Sequence, residues 1–175
     1  MENATQDGRI SARKIAHFAL FLALAMILSY VESLIPFSFG IPGVKLGLTN
    51  VIVVWMLYLI GPKEAFLVSI LRMILVAFLF GNGFSILYSL AGGCLSFLVM
   101  WLLWKSEKLH VISISITGGL CHNIGQLMIA ALIVENYHIL YYVPVLIIAG
   151  ALTGLLIGLI SQEMIRRLAF LWKQG

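Results

Sequence analysis

Arg72, His122, Asn123 and Gln126 can carry charge or form strong hydrogen bonds, yet all four lie inside otherwise apolar runs. Arg72 is the basic residue set deepest in such a run. A charged side chain at the bilayer centre costs about 2.5–3.5 kcal/mol on insertion scales, so it needs an acid, water or an anionic ligand beside it. Glu32, near the end of the first apolar run, is the candidate acid, because an arginine stem can reach along the bilayer normal. His122, Asn123 and Gln126 belong to the stretch Gly118-Gly119-Leu120-Cys121-His122-Asn123-Ile124-Gly125-Gln126. At about 100° per residue, its glycines and polar residues share one half of a helix, and Leu120, Ile124, Leu127 and Ala131 take the other. A polar, glycine-lined stripe cannot face lipid, because unsatisfied polar groups there cost several kcal/mol. It either bonds to neighbouring helices or lines a ligand site. A lone guanidinium above such a face points to a ligand with an anionic group and several hydrogen-bonding atoms. On the preceding run Ser85, Tyr88, Ser89, Gly92, Gly93 and Ser96 form a second small, weakly polar face able to oppose the first. The substrate-binding candidates are therefore Arg72, His122, Asn123, Gln126, Glu32, Tyr88 and Ser89.

Other chemistries are missing. Asp7 is the single aspartate, so aspartate-rich metal–diphosphate motifs and paired aspartates do not occur. There is no Gly-x-Ser-x-Gly nucleophile and no phosphate loop for ATP. His17, His110 and His138 fall at the edges of other runs and give His122 no metal-ligand spacing. Cys94 and Cys121 lie in apolar runs, where they read as packing residues. The expectation is a chain with no catalytic residues, no metal and no cofactor of its own.

The elements that must position these groups follow from composition. The chain has 175 residues, 62% of them hydrophobic and 10% charged. A soluble domain could not cover that much apolar surface with so few charges, which predicts a single-domain, all-α integral membrane protein. Six spanning helices are expected, over about Ser11–Ile35, Leu46–Ile60, Lys63–Phe80, Phe84–Trp104, Val111–Glu135 and Ile139–Leu168. Residues 1–10 and 169–175 form tails. Glu2 and Asp7 near the start, and the length of the first run, argue against a cleaved signal. With the N-terminus inside, Arg9, Arg13, Lys14, Lys63, Lys105, Lys108, Arg166, Arg167 and Lys173 are cytoplasmic, and Lys45 alone is outside. That asymmetry predicts cytoplasmic termini in a multi-pass cell-membrane protein. The net charge of +4 sits at helix ends and not in a patch, so nucleic acid is not an expected partner.

Two further features bear on partners. The segment Pro36–Lys45 is an irregular outside loop, and Phe37, Phe39 and Ile41 make it apolar enough to serve as a lid, with Lys45 at its end. Ala12, Ala16, Ala19 and Ala23 make a narrow stripe on the first helix, and Gly150, Gly154 and Gly158 make another on the sixth. Small stripes let helices approach closely. Packing within the chain is the simpler reading of the glycines. The alanines suit either internal packing or a docked partner.

Several of these motifs are family features. Pro42 through Thr49-Asn50, Leu71-Arg72 with Leu79-Phe80-Gly81, Tyr88 through Gly92-Gly93, and Gly118 through Gln126 resemble the Gx transporter family, also labelled heptaprenyl diphosphate synthase component I. The likeness runs from about Ser11 to Arg167, with His122-Asn123-Ile124-Gly125-Gln126 its most specific part. It implies a relative of the substrate-binding S components of energy-coupling factor transporters, six-helix proteins that capture a vitamin or small metabolite. Such proteins dock on a transmembrane coupling subunit with two ATPases. The likeness implies docking through Ala12, Ala16, Ala19 and Ala23, and closure by the loop with Phe37, Phe39 and Lys45. The alternative is a non-catalytic membrane subunit of a prenyl diphosphate synthase. Catalysis of prenyl elongation is not expected without aspartate-rich motifs.

The topology is testable with Cys94 and Cys121 replaced. A single cysteine at Ser38 should react with an impermeant thiol reagent on intact cells, and one at Ser106 should react only after lysis.

Overall fold

The computed structural model describes residues 12–34, 47–80, 83–134 and 141–172. They form α1 (Ala12–Leu34), α2 (Asn50–Leu59), α3 (Pro62–Phe80), α4 (Gly83–Lys105), α5 (Val111–Val134) and α6 (Val143–Trp172). Among the described residues there is no strand. The expected lid residues Phe37, Phe39 and Lys45 lie outside the described residues, as do both tail ends and the side chains of Ala12 and Ser85.

α1, α4, α5 and α6 are long and apolar enough to cross a membrane. α3 has nineteen residues, about 28 Å at the usual helical rise, but carries Lys63, Glu64 and Arg72. The second span, expected over Leu46–Ile60, is instead a helix of ten residues. That is about 15 Å, roughly half of a hydrocarbon core. The physical reason is at its start. Gly47 adopts φ +79, a left-handed conformation that glycine accepts without a Cβ clash, and the helix begins only after the Leu48-Thr49 turn.

This short helix occupies the middle of the bundle. α2 packs on α1, α3, α5 and α6, while α1–α3, α3–α4, α4–α5 and α5–α6 pack pairwise around it. Seven of its ten residues are buried, and Val54 and Met56 are 0% exposed. Around them pack Phe21 and Ala25 of α1, Ala65 and Val68 of α3, Phe97 and Met100 of α4, Ile114 of α5 and Ile157 of α6. A helix apolar on all sides belongs in such a position. The outer surface is apolar too, with Ile27, Phe78, Leu132 and Leu152 each more than half exposed. Water does not tolerate so continuous an apolar exterior, and lipid does. The chain is a membrane protein.

Glycines set the closest helix approaches. A Cβ on Gly150 would lie 2.8 Å from the Gly119 carbonyl oxygen, and one on Gly154 2.7 Å from Ile116 Cα. The glycine stripe of α6 is therefore internal packing against α5. A Cβ on Gly125 would lie 2.8 Å from the Ala91 carbonyl oxygen of α4. Backbone cannot yield as a flexible side chain can, so Gly150→Ala should cost about 1–3 kcal/mol, the usual range for overpacking. Gly83→Ala should be neutral, because no atom lies within 4 Å of the added methyl. Thermal unfolding of the two variants in detergent measures the difference, and equal melting temperatures would reject it.

Candidate functional site

The start of α2 poses a problem that its neighbours solve. The N–H groups of Asn50, Val51 and Ile52 donate to the carbonyls of Gly47, Leu48 and Thr49 at 2.9, 3.2 and 3.1 Å, a tight first turn. Thr49, at the N-cap position, makes no side-chain capping bond. Its hydroxyl donates instead to Glu32 Oε2 at 3.2 Å, and the Gly47 N–H donates to Glu32 Oε1. A carboxylate from α1 thus takes the place of a cap at the positive end of the α2 dipole.

From Glu32 the network runs back to Arg72. Arg72 Nη1 donates to Ser29 Oγ at 3.3 Å, and Ser29 Oγ lies 3.2 Å from Thr49 Oγ1. Because Thr49 donates to Glu32, it accepts from Ser29, so the donors all point one way, from guanidinium to carboxylate. Ser29, Glu32, Thr49 and Arg72 are 2%, 6%, 0% and 7% exposed, so bulk water satisfies none of them. A direct Arg72–Glu32 ion pair, one of the readings the sequence allowed, is not what forms. Among the described residues, the ion pairs within 4.0 Å are those of Glu163 with Arg166 and Arg167 at the exposed end of α6. Two hydroxyls stand between Arg72 and Glu32. Arg72 Nε is buried with no hydrogen-bond partner.

α5 closes the other side. A Cβ on Gly47 would lie 3.3 Å from His122 Cδ2, so the imidazole rests against the turn that starts α2. The Gln126 amide nitrogen lies 3.1 Å from His122 Nε2. The two side chains share one hydrogen bond, one turn apart on the same face of α5. Gly92 of α4 leaves the room these two side chains occupy, since a Cβ there would lie 2.7 Å from Gln126 Cγ. Asn123 turns toward α6, donating to the Leu146 carbonyl at 2.9 Å. Its Oδ1 is buried with no partner.

The polar half-face on α5 is thus shared out. Gly118 and Gly125 meet α4, Gly119 and Asn123 meet α6, and His122 and Gln126 lie between, near the start of α2. Of the candidates, Glu32, Arg72, His122 and Gln126 come together around this start, and Asn123 adjoins them. Tyr88 lies elsewhere, buried in an apolar cluster with Leu127, Ala130 and Leu146, and Ser89 is half-buried. Ser29, Gly47 and Thr49 are structural members that side-chain chemistry alone did not single out. The signals were the three-residue spacing of Ser29 and Glu32, and a polar Thr49-Asn50 pair opening an apolar run. Ala16, Ala19 and Ala23 are exposed on α1. Among the described residues, no three His, Cys, Asp or Glu side chains gather as a metal ion would require.

Residues 21–164 match the family described as heptaprenyl diphosphate synthase component I. No curated protein and no solved structure matches the chain.

Glu32 is the residue on which the network's stability should turn. Glu32→Ala removes both acceptors at the start of α2 and leaves Arg72 uncompensated, a change that typically costs about 3–5 kcal/mol for a buried pair. Glu32→Gln keeps an acceptor for the Gly47 N–H and should lose less. The order of melting temperatures, wild type above Gln above Ala, checks this, and an Ala variant as stable as wild type would refute it.

Proposed function

The chain belongs to the heptaprenyl diphosphate synthase component I family, and we propose that it works as a substrate-capture subunit of S-component type. On this reading it lies in the cell membrane with both termini cytoplasmic and takes up a small organic solute. A separate transmembrane coupling subunit and two ATPases supply the energy. The observation that carries the reading is the buried Arg72 guanidinium, with Nε unpartnered, in a polar network at the start of a half-length central helix. Ionisable groups at membrane depth are costly and mark ligand or ion pathways. Helices that begin inside a membrane-spanning bundle are likewise the usual builders of solute sites. Glu32, Arg72, His122, Asn123 and Gln126 form the site, while Tyr88 and Ser89 belong to the helix beside it. The loop with Phe37, Phe39 and Lys45 covers it from outside. The exposed alanines Ala16, Ala19 and Ala23, with Ala12, form the docking stripe for the coupling subunit.

The family description favours a second reading, in which the chain anchors or feeds a separate prenyl diphosphate synthase subunit. Both readings make the chain non-catalytic, and they differ in partner. Affinity purification from native membranes separates them. A coupling subunit with ATPases supports capture, and a soluble synthase supports the second reading. On the capture reading Ala16→Trp should abolish recovery of the coupling subunit while leaving the melting temperature unchanged, because a bulky ring blocks close helix approach.

The site itself is tested by calorimetric titration with the small molecule that mass spectrometry identifies in the purified protein. Truncating one partner of a buried, charge-assisted contact typically costs about 2–5 kcal/mol. Arg72→Ala should therefore weaken binding at least roughly thirtyfold, at about 1.4 kcal/mol per decade. Asn123→Ala and Gln126→Ala should each lose roughly five- to tenfold, as neutral hydrogen bonds do. Unchanged affinity in a well-folded Arg72→Ala would remove Arg72 from the site.

A further inference from the structure

The charge balance at the start of α2 restricts what can bind there. Among the described residues, the buried side chains with a formal charge are Glu32 and Arg72, one of each sign; Lys45 of the loop lies outside the described residues and does not enter this balance. His122 is engaged with Gln126 beside them. The hydroxyls of Ser29 and Thr49 join the two charges into one network. We infer that the solute held at this site is electroneutral overall, a zwitterion or an uncharged molecule rich in amide-like groups, and neither a net anion nor a net cation. This inference rests on the substrate-capture reading.

The physical argument is one of cancellation. An anion drawn to Arg72 is repelled by Glu32 in the same network, and a cation meets the mirror situation. The attraction is largely spent, while the cost of stripping water from a net charge remains in full. A dipolar solute has no net charge to strip, and it can align with the field that runs from guanidinium to carboxylate. Two of the buried atoms without a partner among the described residues say what it must offer. Arg72 Nε–H is a donor on α3 and Asn123 Oδ1 is an acceptor on α5. A carbonyl or the carboxylate end of a zwitterion satisfies the first, and an N–H satisfies the second. The anionic group expected from the lone guanidinium survives here only as one end of a neutral molecule.

The test works while the solute is still unidentified. An aqueous small-molecule extract of the source cells is split at pH 7 into an anion-exchanger fraction, a cation-exchanger fraction and the flow-through. Each is added to the full-length, ligand-stripped protein in detergent, and thermal unfolding is followed. The flow-through should raise the melting temperature by several degrees, and Arg72→Gln should lose that rise. Stabilisation carried by either retained fraction would overturn electroneutrality and leave capture standing. No stabilisation by any fraction, with no small molecule in the purified protein, would overturn capture itself and this inference with it. Glu32→Gln keeps the acceptor for Gly47 and makes the site net positive, so its stabilisation should move to the anion-exchanger fraction. Where that variant does not fold, the wild-type fractionation decides alone.

Discussion

The arrangement depends on one constraint: a helix that begins inside apolar surroundings must have its first N–H groups and its dipole satisfied by protein. α2 begins at a turn where Thr49 and Asn50 are buried, and Glu32 accepts from Gly47 and Thr49 there. The rest follows in order. A buried carboxylate calls for a buried cation, and Arg72 supplies it. The two are too far apart to pair directly, so Ser29 and Thr49 carry the contact between them. Each step removes one uncompensated polar group and leaves a smaller one. The chain of contacts ends at Arg72 Nε, which no described residue satisfies.

Rigidity is distributed to match. α4, α5 and α6 meet with glycine on their contact faces, at separations where a single methyl would strike backbone. Two packed surfaces at that distance do not slide without rupture, because close-packed interiors transmit strain. His122, Asn123 and Gln126 are mounted on that slab. Glu32 and Ser29 are mounted on α1, which packs on α2 and α3 and turns Ile15, Leu20 and Ile27 outward. The site therefore lies between a tightly packed unit and a helix with one face unpartnered within the chain.

Much of this was legible in the residues. Apolar runs closed by Pro36, Gly61-Pro62 and Gly81-Asn82-Gly83 placed the helices to within a few positions at most ends. The polar run through Gln126 and the isolated Arg72 named four of the residues around α2. The run Leu46–Ile60 is already short for a full crossing, but its further shortening to ten residues was not legible, because all of it is apolar enough to read as one helix. Only the backbone shows that Gly47 takes a left-handed turn. The division of the α5 face was hidden for a related reason. Periodicity tells which residues share a side, and not how many neighbours that side meets. Gly119 and Gly125 lie on the same half of the helix yet face different partners. Hydroxyl bridges were the hardest to foresee, since Ser29 and Thr49 matter through position and not through chemical type.

The family name and the site chemistry can be set against each other on physical grounds. Prenyl elongation handles a diphosphate, whose several negative charges require metal ions or a cluster of cations to offset them. The buried network offers one guanidinium, linked through two hydroxyls to the Glu32 carboxylate. Among the described residues, Arg72 Nε and Asn123 Oδ1 are a buried donor and a buried acceptor without a partner. A prenyl chain would need only an apolar groove and would leave both atoms unsatisfied.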